Sequence, residues 1–267
     1  MNPDYFLRIE HVSAGYPQKN VLKDVSFSVN KGTITGLLGA NGCGKTTLIK
    51  AICNLVSHTG ECFLDNAPLS GLNTRKLSRL ISYIPQKSGI SISFTVLEVV
   101  LMGFNPVLKP LEYPNSQQKK VALDSLNLFG ILHLAHTSYE NCSEGEKQLS
   151  ILARTFVQNT KLLLLDEPDS ALDFQNRYRM MNALVKLTEQ KEQSALICLH
   201  DPQLALSYCD RLILLQDGQC SAILNPGKDS HDYMEAALSK IYGPLTLQQV
   251  KSKTDRNRLV LLSDISK

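Results

Sequence analysis

The segment Gly39-Ala40-Asn41-Gly42-Cys43-Gly44-Lys45-Thr46 decides how the rest of the chain is interpreted. It fits the pattern G-x-x-x-x-G-K-[ST], in which glycines let the backbone curl so that successive N–H groups point at one anion. Residues 33–38 before it form an apolar run typical of a buried strand, and residues 46–53 have helical spacing. Because strand, glycine loop and helix follow in the required order, the segment is predicted to bind nucleotide phosphates.

The last residues of this loop carry the specific contacts. Lys45 is predicted to meet the β- and γ-phosphates. Thr46 offers a hydroxyl to Mg²⁺, which prefers oxygen ligands in octahedral geometry. Cys43 is interpreted as an inert residue of the loop rather than as a redox group. The predicted phosphate-binding residues are Gly39, Ala40, Asn41, Gly42, Cys43, Gly44, Lys45, Thr46 and Thr47.

A second candidate feature is the pair of acids, Asp166 and Glu167, that follows the four leucines at 162–165. A buried strand that ends in carboxylates is typical of the edge where a parallel sheet opens onto a ligand crevice. Asp166 is predicted to hold Mg²⁺ through water, and Glu167 to polarise the attacking water as a general base. The alternative is a strand that simply ends in solvated acids.

The composition limits the class of protein. The 267 residues carry 28 Lys and Arg against 25 Asp and Glu, a formal charge of +3, which argues against a protein that coats nucleic acid. The longest strictly aliphatic run, 162–165, is far shorter than the roughly 20 residues that cross a bilayer, and no secretory signal is visible. Seven scattered cysteines without a C-x-x-C pair indicate free thiols. We therefore expect a globular cytosolic protein.

Apolar segments alternate between strand-like and helix-like periods, which favours an α/β fold. The first two predicted strands suggest an antiparallel edge sheet, and residues 95–156 are predicted to be largely helical. Helices are also expected between the later strands and at 232–241. The predicted strands are 6–9, 25–29, 33–38, 80–84, 161–165, 194–199, 211–215 and 259–262.

Together these segments resemble the ATP-binding cassette (ABC) family, the nucleotide-hydrolysing subunits of ABC transporters, over nearly all of residues 3–250. Tyr16 is similar to the aromatic residue that stacks on adenine. Gln86 resembles the glutamine that reaches Mg²⁺ and the attacking water, and His200 the switch histidine that contacts the γ-phosphate. Asp173 lies in a segment similar to the loop that crosses the dimer interface. Taken alone, each of these residues would be an ordinary surface, loop or core position.

The resemblance implies an α/β fold of the P-loop NTPase, ABC type: a mixed sheet core with an antiparallel β subdomain and a helical subdomain. We expect a single ABC ATPase domain over 1–267. Its nucleotide-binding core with the β subdomain would comprise 1–86 and 161–224, its helical subdomain 87–160, and its C-terminal extension 225–267.

The family signature Leu-Ser-Gly-Gly-Gln is altered here to residues 142–146, where only Ser143 and Gly145 agree. In the family this segment contacts ATP on the opposite subunit of a head-to-tail dimer. Ser143 and Glu146 also form the S-x-x-E pattern of a capping box, so one interpretation is a helix cap alone. Because Glu144 and Glu146 oppose an incoming phosphate, we expect a weaker ATP-driven dimer than the usual signature gives.

Residues 95–103, the following Asn105-Pro106 and the tail at 241–243 resemble importers of iron-siderophore, haem and cobalamin. This implies an ATP-hydrolysing subunit on the inner face of the cell membrane that pairs with a second ABC subunit, expected to be a copy of itself. Its membrane partners would be permease subunits, with a substrate-binding protein contacted only indirectly and no nucleic acid.

Three alternatives remain open from the sequence. The altered signature would suit a regulatory cassette that hydrolyses ATP weakly within a heterodimer. A soluble non-transport ABC ATPase would be expected to show two cassettes, a coiled-coil insertion or a basic face. A kinase or GTPase is less favoured because Ser143, Asp173 and His200 would then share no purpose.

Overall fold

The computed structural model describes residues 5–17, 19–86, 93–191, 193–251 and 257–263. The strands are β1 (Tyr5–Tyr16), β2 (Lys19–Asn30), β3 (Ile34–Leu38), β4 (His58–Leu64), β5 (Ala67–Pro68), β6 (Ile81–Ile84), β7 (Leu162–Asp166), β8 (Ser194–Cys198), β9 (Arg211–Gln216), β10 (Gln219–Leu224), β11 (Leu245–Lys251) and β12 (Asn257–Ser263). The helices are α1 (Lys45–Ile52), α2 (Thr74–Leu80), α3 (Val96–Leu101), α4 (Ser116–Leu128), α5 (Glu144–Gln158), α6 (Phe174–Lys191), α7 (Pro202–Tyr208) and α8 (His231–Tyr242).

The chain forms two compact units, and the first comprises residues 1–70 and 196–267. An antiparallel sheet in the order β2-β1-β4-β5 lies in this unit. Strand β3 pairs in parallel with β9, which pairs antiparallel with β10, and β8 lies on the other side of β3. All five residues of β3 are buried, so the apolar segment before the glycine loop is a central strand, as predicted.

The second unit comprises residues 71–195. Here β6 pairs in parallel with β7, and the helices α3, α4 and α5 contact one another. The Ser125 hydroxyl of α4 donates a hydrogen bond to the Ala153 carbonyl of α5 over 3.0 Å. A Cβ atom at Gly103 would lie 2.3 Å from the Arg154 carbonyl oxygen, so only glycine permits the backbone to approach α5 this closely.

The predicted α/β fold with a mixed sheet is confirmed, and so are the predicted strands and the helical region after residue 95. The predicted subdomain boundaries stay a prediction, and residues 87–92, where the helical subdomain was expected to begin, lie outside the described part of the chain. All seven cysteines are free thiols, as predicted. Within the described ranges, we find no helix that combines the length and apolar character needed to cross a membrane.

Strands β4, β5, β10 and β11 and helix α2 are not predicted from the sequence. Strand β4 buries only Cys62 and Leu64 of its seven residues, so its apolar alternation is weak. The sequence does contain a signal for α2, because Asn73 is a residue type that often caps a helix N-terminus. In the structure the Asn73 side chain accepts a hydrogen bond from the Lys76 N–H in this way. Most residues of strands β10 and β11 are half-buried or exposed, and little in their pattern distinguishes them from loops.

Candidate nucleotide site

The glycine loop of the first unit has a backbone that other residues rarely adopt. Gly39, Gly42 and Gly44 have φ values of 157°, 78° and 114°. A Cβ atom at Gly39 would lie 2.3 Å from the Leu215 carbonyl oxygen, and one at Gly44 would lie 2.6 Å from a methyl group of Leu22. Glycine is therefore required at positions 39 and 44, because the backbone has a positive φ and because a Cβ atom would overlap neighbouring atoms.

The curled loop ends at the N-terminus of α1. Gly44 occupies the N-cap position without a side-chain hydrogen bond, and the first turn contains no acidic residue. The N–H groups and the positive end of the helix dipole therefore face the loop, which is the arrangement that binds anions. The Lys45 side chain is only 4% exposed, and its ammonium donates hydrogen bonds to the Gly39 and Ala40 carbonyls over 2.8 and 3.3 Å.

Three lysines add positive charge near this loop. A cavity of about 360 Å³ is lined by residues 40–43 of the loop and by Lys19, Lys23 and Lys240, with Asp217 as the acidic member. The net positive lining favours an anionic ligand. These lysines were not singled out in the sequence, because they come from β2 and α8, and only folding brings them to the loop.

Cys43 is 8% exposed within the loop. Burial raises the pKa of the Cys43 thiol, and the nearby Lys45 ammonium opposes this shift only in part. The thiol is therefore protonated and weakly nucleophilic at neutral pH, which favours the interpretation of Cys43 as inert.

The remaining predicted residues of the first unit come from three separate segments of the chain. Tyr16 ends β1 with 48% of its surface exposed, so a ring face is open to a ligand. Thr46 is half-buried in the first turn of α1, whereas Thr47 is buried. His200 is exposed between β8 and α7.

Two predicted catalytic residues of the second unit meet directly. The Gln86 amide donates a hydrogen bond to a Glu167 carboxylate oxygen over 2.5 Å. Glu167 is 7% exposed and has a φ of 51°, a left-handed conformation that is strained in a residue other than glycine. Asp166, the last residue of β7, is 1% exposed. Strain of this kind is concentrated at functional sites, and no pattern in the sequence indicates it.

The altered signature begins α5 with the predicted capping box, which is confirmed. The Ser143 hydroxyl accepts a hydrogen bond from the Glu146 N–H, while the Ser143 N–H and hydroxyl donate to the Glu146 carboxylate over 2.8 Å each. These two donors lower the pKa of Glu146. The Glu144 carboxylate lies 3.0 Å from the Lys147 ammonium. Both acids of the signature therefore have local partners.

The signature helix and the segment before α6 come close together within this unit. A Cβ atom at Gly145 would lie 3.2 Å from the Ala171 carbonyl oxygen, so glycine permits this approach. Asp173 is exposed, and its carboxylate accepts a hydrogen bond from the Asn176 N–H over 2.8 Å, which fixes the start of α6.

Comparison with known proteins agrees with this geometry. Residues 22–170 match the family model described as ABC transporter. The chain is 32% identical over 242 residues to the hemin import ATP-binding protein HmuV of Shewanella denitrificans, covering 88% of this chain and 92% of that protein.

Two solved structures are similar at 25% sequence identity. One is an inward-facing metal-chelate type ABC transporter, with a TM-score of 0.80 and coverage of 97% of this chain and 98% of that one. The other is a dimeric ATP-binding cassette in a post-hydrolysis state bound to ADP and Pi, with a TM-score of 0.75 and coverage of 82% and 98%. The chain belongs to the ABC transporter family, as an ATP-binding subunit that hydrolyses ATP.

The cap at Glu146 gives a pH dependence. Because its folded-state pKa is lowered, the Glu146 carboxylate contributes stability that is present above its usual pKa of 4.5 and is lost as pH falls through the folded value. We expect Glu146→Gln to lower the free energy of unfolding by on the order of 0.5 kcal/mol at pH 7 and by less as pH falls below 4.5. Urea unfolding at several pH values measures this. Glu140→Gln, at an exposed acid before α5, is the control and should show no such trend.

Proposed function

We propose that this chain hydrolyses Mg·ATP to power an importer of an iron-siderophore, haem or cobalamin. The observation that carries the catalytic part is the contact between Gln86 and the buried, strained Glu167. The cargo class is supported by the hemin importer and metal-chelate transporter that the chain resembles. The membrane subunits would select the cargo, and this chain would supply the work.

Nucleotide binding is assigned to residues of the glycine loop and its neighbours. Tyr16 stacks on the adenine ring through its exposed face. The N–H groups of the loop residues 39–47 bind the phosphates, and Lys45 exchanges its carbonyl partners for the β- and γ-phosphates.

The cation is assigned to three oxygen donors: the Thr46 hydroxyl, the Gln86 amide oxygen and the Asp166 carboxylate. This donor set fits Mg²⁺, which prefers hard oxygen ligands and usually takes only one or two carboxylates with the phosphates. When bound, Mg²⁺ neutralises charge on the phosphates.

For hydrolysis, Glu167 accepts a proton from the attacking water, and Gln86 holds the Glu167 carboxylate and orients that water. Lys45 and His200 stabilise the charge that spreads over the γ-phosphate oxygens. Because the Gln86 amide holds the Glu167 carboxylate, less reorganisation of that carboxylate is needed during the reaction.

Completion of each site requires a second copy of the chain. Ser143 and Gly145 of one copy contact the γ-phosphate bound by the other, and Asp173 lies at the interface. The dimeric cassette bound to ADP and Pi supports this arrangement. Closure on ATP and reopening after hydrolysis would move the permease subunits at the inner face of the membrane, with a substrate-binding protein acting on the far side.

A second candidate, a regulatory cassette with weak hydrolysis, is favoured by one observation. The Glu146 carboxylate accepts a hydrogen bond from the Ser143 hydroxyl, which in the first candidate donates to a phosphate. The negative charge of Glu146 in the capping box would then weaken the ATP-driven closure of the dimer. The two candidates differ in the ATPase rate of the purified homodimer.

Replacing the acids of the signature separates these candidates. We expect Glu144→Gly combined with Glu146→Gln to raise ATPase activity at limiting ATP by a few-fold, because two charges that repel phosphate are removed. Glu189→Gln, at an exposed acid of α6, is the matched control and should leave the rate unchanged. An unchanged rate in the double variant would mean that the acids do not limit the dimer.

Removing the general base should trap the closed dimer. We expect Glu167→Gln to hydrolyse ATP at least about a hundredfold more slowly and to elute as a dimer on gel filtration with ATP and Mg²⁺. Adding Lys45→Ala to this variant should return it to a monomer, because phosphate binding is lost. A monomeric Glu167→Gln protein that still binds ATP would contradict the assigned role.

The importer assignment predicts a loss of uptake in cells. In cells that carry Lys45→Ala as the only copy, ATP-driven uptake of one radiolabelled cargo among a ferric siderophore, haem and cobalamin should fall to background. Lys228→Ala, at an exposed lysine outside the loop, should retain uptake. Undiminished uptake of all three cargoes would argue against this class of importer.

A further inference from the structure

The C-terminal hairpin forms a sheet of its own. Within the part of the chain that the structure describes, strands β11 and β12 form a two-stranded sheet, in the antiparallel register Leu247↔Leu261 and Gln249↔Leu259. An isolated two-stranded hairpin is marginally stable in water, because each strand has an edge of unpaired N–H and C=O groups. Such a hairpin needs contacts at its edges.

The edge of β11 is held by α8. The Leu247 N–H donates a hydrogen bond to the Glu235 carboxylate over 2.6 Å. Glu235 lies within α8, which contacts β11. A side chain therefore takes the place of a neighbouring strand at this edge.

The edge of β12 is held by one residue of α7. The Gln203 amide nitrogen donates to the Leu259 carbonyl over 2.9 Å, and the Gln203 amide oxygen accepts from the Leu261 N–H over 2.7 Å. Binding to the carbonyl and N–H groups on either side of one strand residue is the pattern of a parallel β-bridge. The second amide proton reaches the Ser207 hydroxyl over 3.2 Å, so all three polar contacts fix the orientation of the amide.

Gln203 also belongs to the turn that follows His200. Asp201 is the N-cap of α7, and its carboxylate accepts hydrogen bonds from the Gln203 and Leu204 N–H groups over 2.8 and 3.2 Å. Helix α7 has only seven residues, a length that is not stable without tertiary contacts. The turn that sets the backbone direction at His200 is thus joined to the hairpin through Gln203.

We propose that Gln203 is a positioning residue for ATP hydrolysis: it clamps the C-terminal hairpin to the first turn of α7 and thereby holds His200 in place. The inference rests on the proposed contact of His200 with the γ-phosphate. Loosening the clamp lets the short helix fray at its first turn and displaces the histidine. A displacement of about 1 Å at a catalytic group is enough to lower the rate by tenfold or more.

The test replaces the amide by an apolar group of similar shape. In Gln203→Met we expect kcat for ATP hydrolysis to fall about tenfold while KM for ATP changes less than about twofold, because the loss is confined to the transition state. Hydrogen exchange should show faster exchange of the Leu261 N–H. If Gln203→Met does not fold, Gln203→Glu keeps the acceptor for Leu261 and loses the donor, and it should lower kcat about threefold.

Two further variants make the outcome specific. Glu235→Met releases the other edge of the same hairpin, which should speed exchange of the Leu247 N–H but leave kcat within about twofold of the unaltered chain. His200→Ala should lower kcat at least as much as Gln203→Met. If His200→Ala has no effect, the proposed role of His200 fails. If it does have an effect but a folded Gln203 variant keeps full kcat, or if Glu235→Met lowers kcat equally, the positioning role of Gln203 is overturned.

Discussion

The N-terminus of α1 is an anion-binding position because its N–H groups lack a side-chain cap and the backbone before it curls through left-handed glycines. The curl depends on space as well as on dihedral angles, since a Cβ atom at Gly39 would overlap the Leu215 carbonyl of β9. The parallel pairing of β3 with β9 therefore determines which residues can occupy the loop. The phosphate binding proposed for this loop and the packing of the sheet therefore depend on the same residues in this unit.

The second unit satisfies a different requirement. It buries two adjacent carboxylates, Asp166 and Glu167, at the end of an apolar strand, which is costly in free energy unless donors or a cation face them. The Gln86 amide supplies one donor to Glu167. The assignment of Mg²⁺ to Asp166 follows the same reasoning, because a divalent cation offsets the charge of a buried carboxylate. The free-energy cost of burying Asp166 and the chemistry proposed for hydrolysis thus both favour a bound Mg²⁺.

How far the sequence could predict this structure depended on whether the signal was local. The glycine loop, the carboxylates after β7 and the capping box at Ser143 are short patterns, so their positions could be read directly, although the roles of these residues in hydrolysis stay predictions. The lysines around the loop cavity and the clamp at Gln203 depend on residues far apart in the chain. Strain at Glu167 arises from packing, and it leaves no pattern in the sequence.

The side chains on the outer edges of β11 and β12 have a consequence for self-association. Exposed strand edges are templates on which other polypeptides add strands, and proteins protect them by several devices. Here Glu235 and Gln203 occupy backbone groups at Leu247, Leu259 and Leu261 that an incoming strand would need. The tail of the molecule is thus a poor template for fibre growth or for strand exchange between copies.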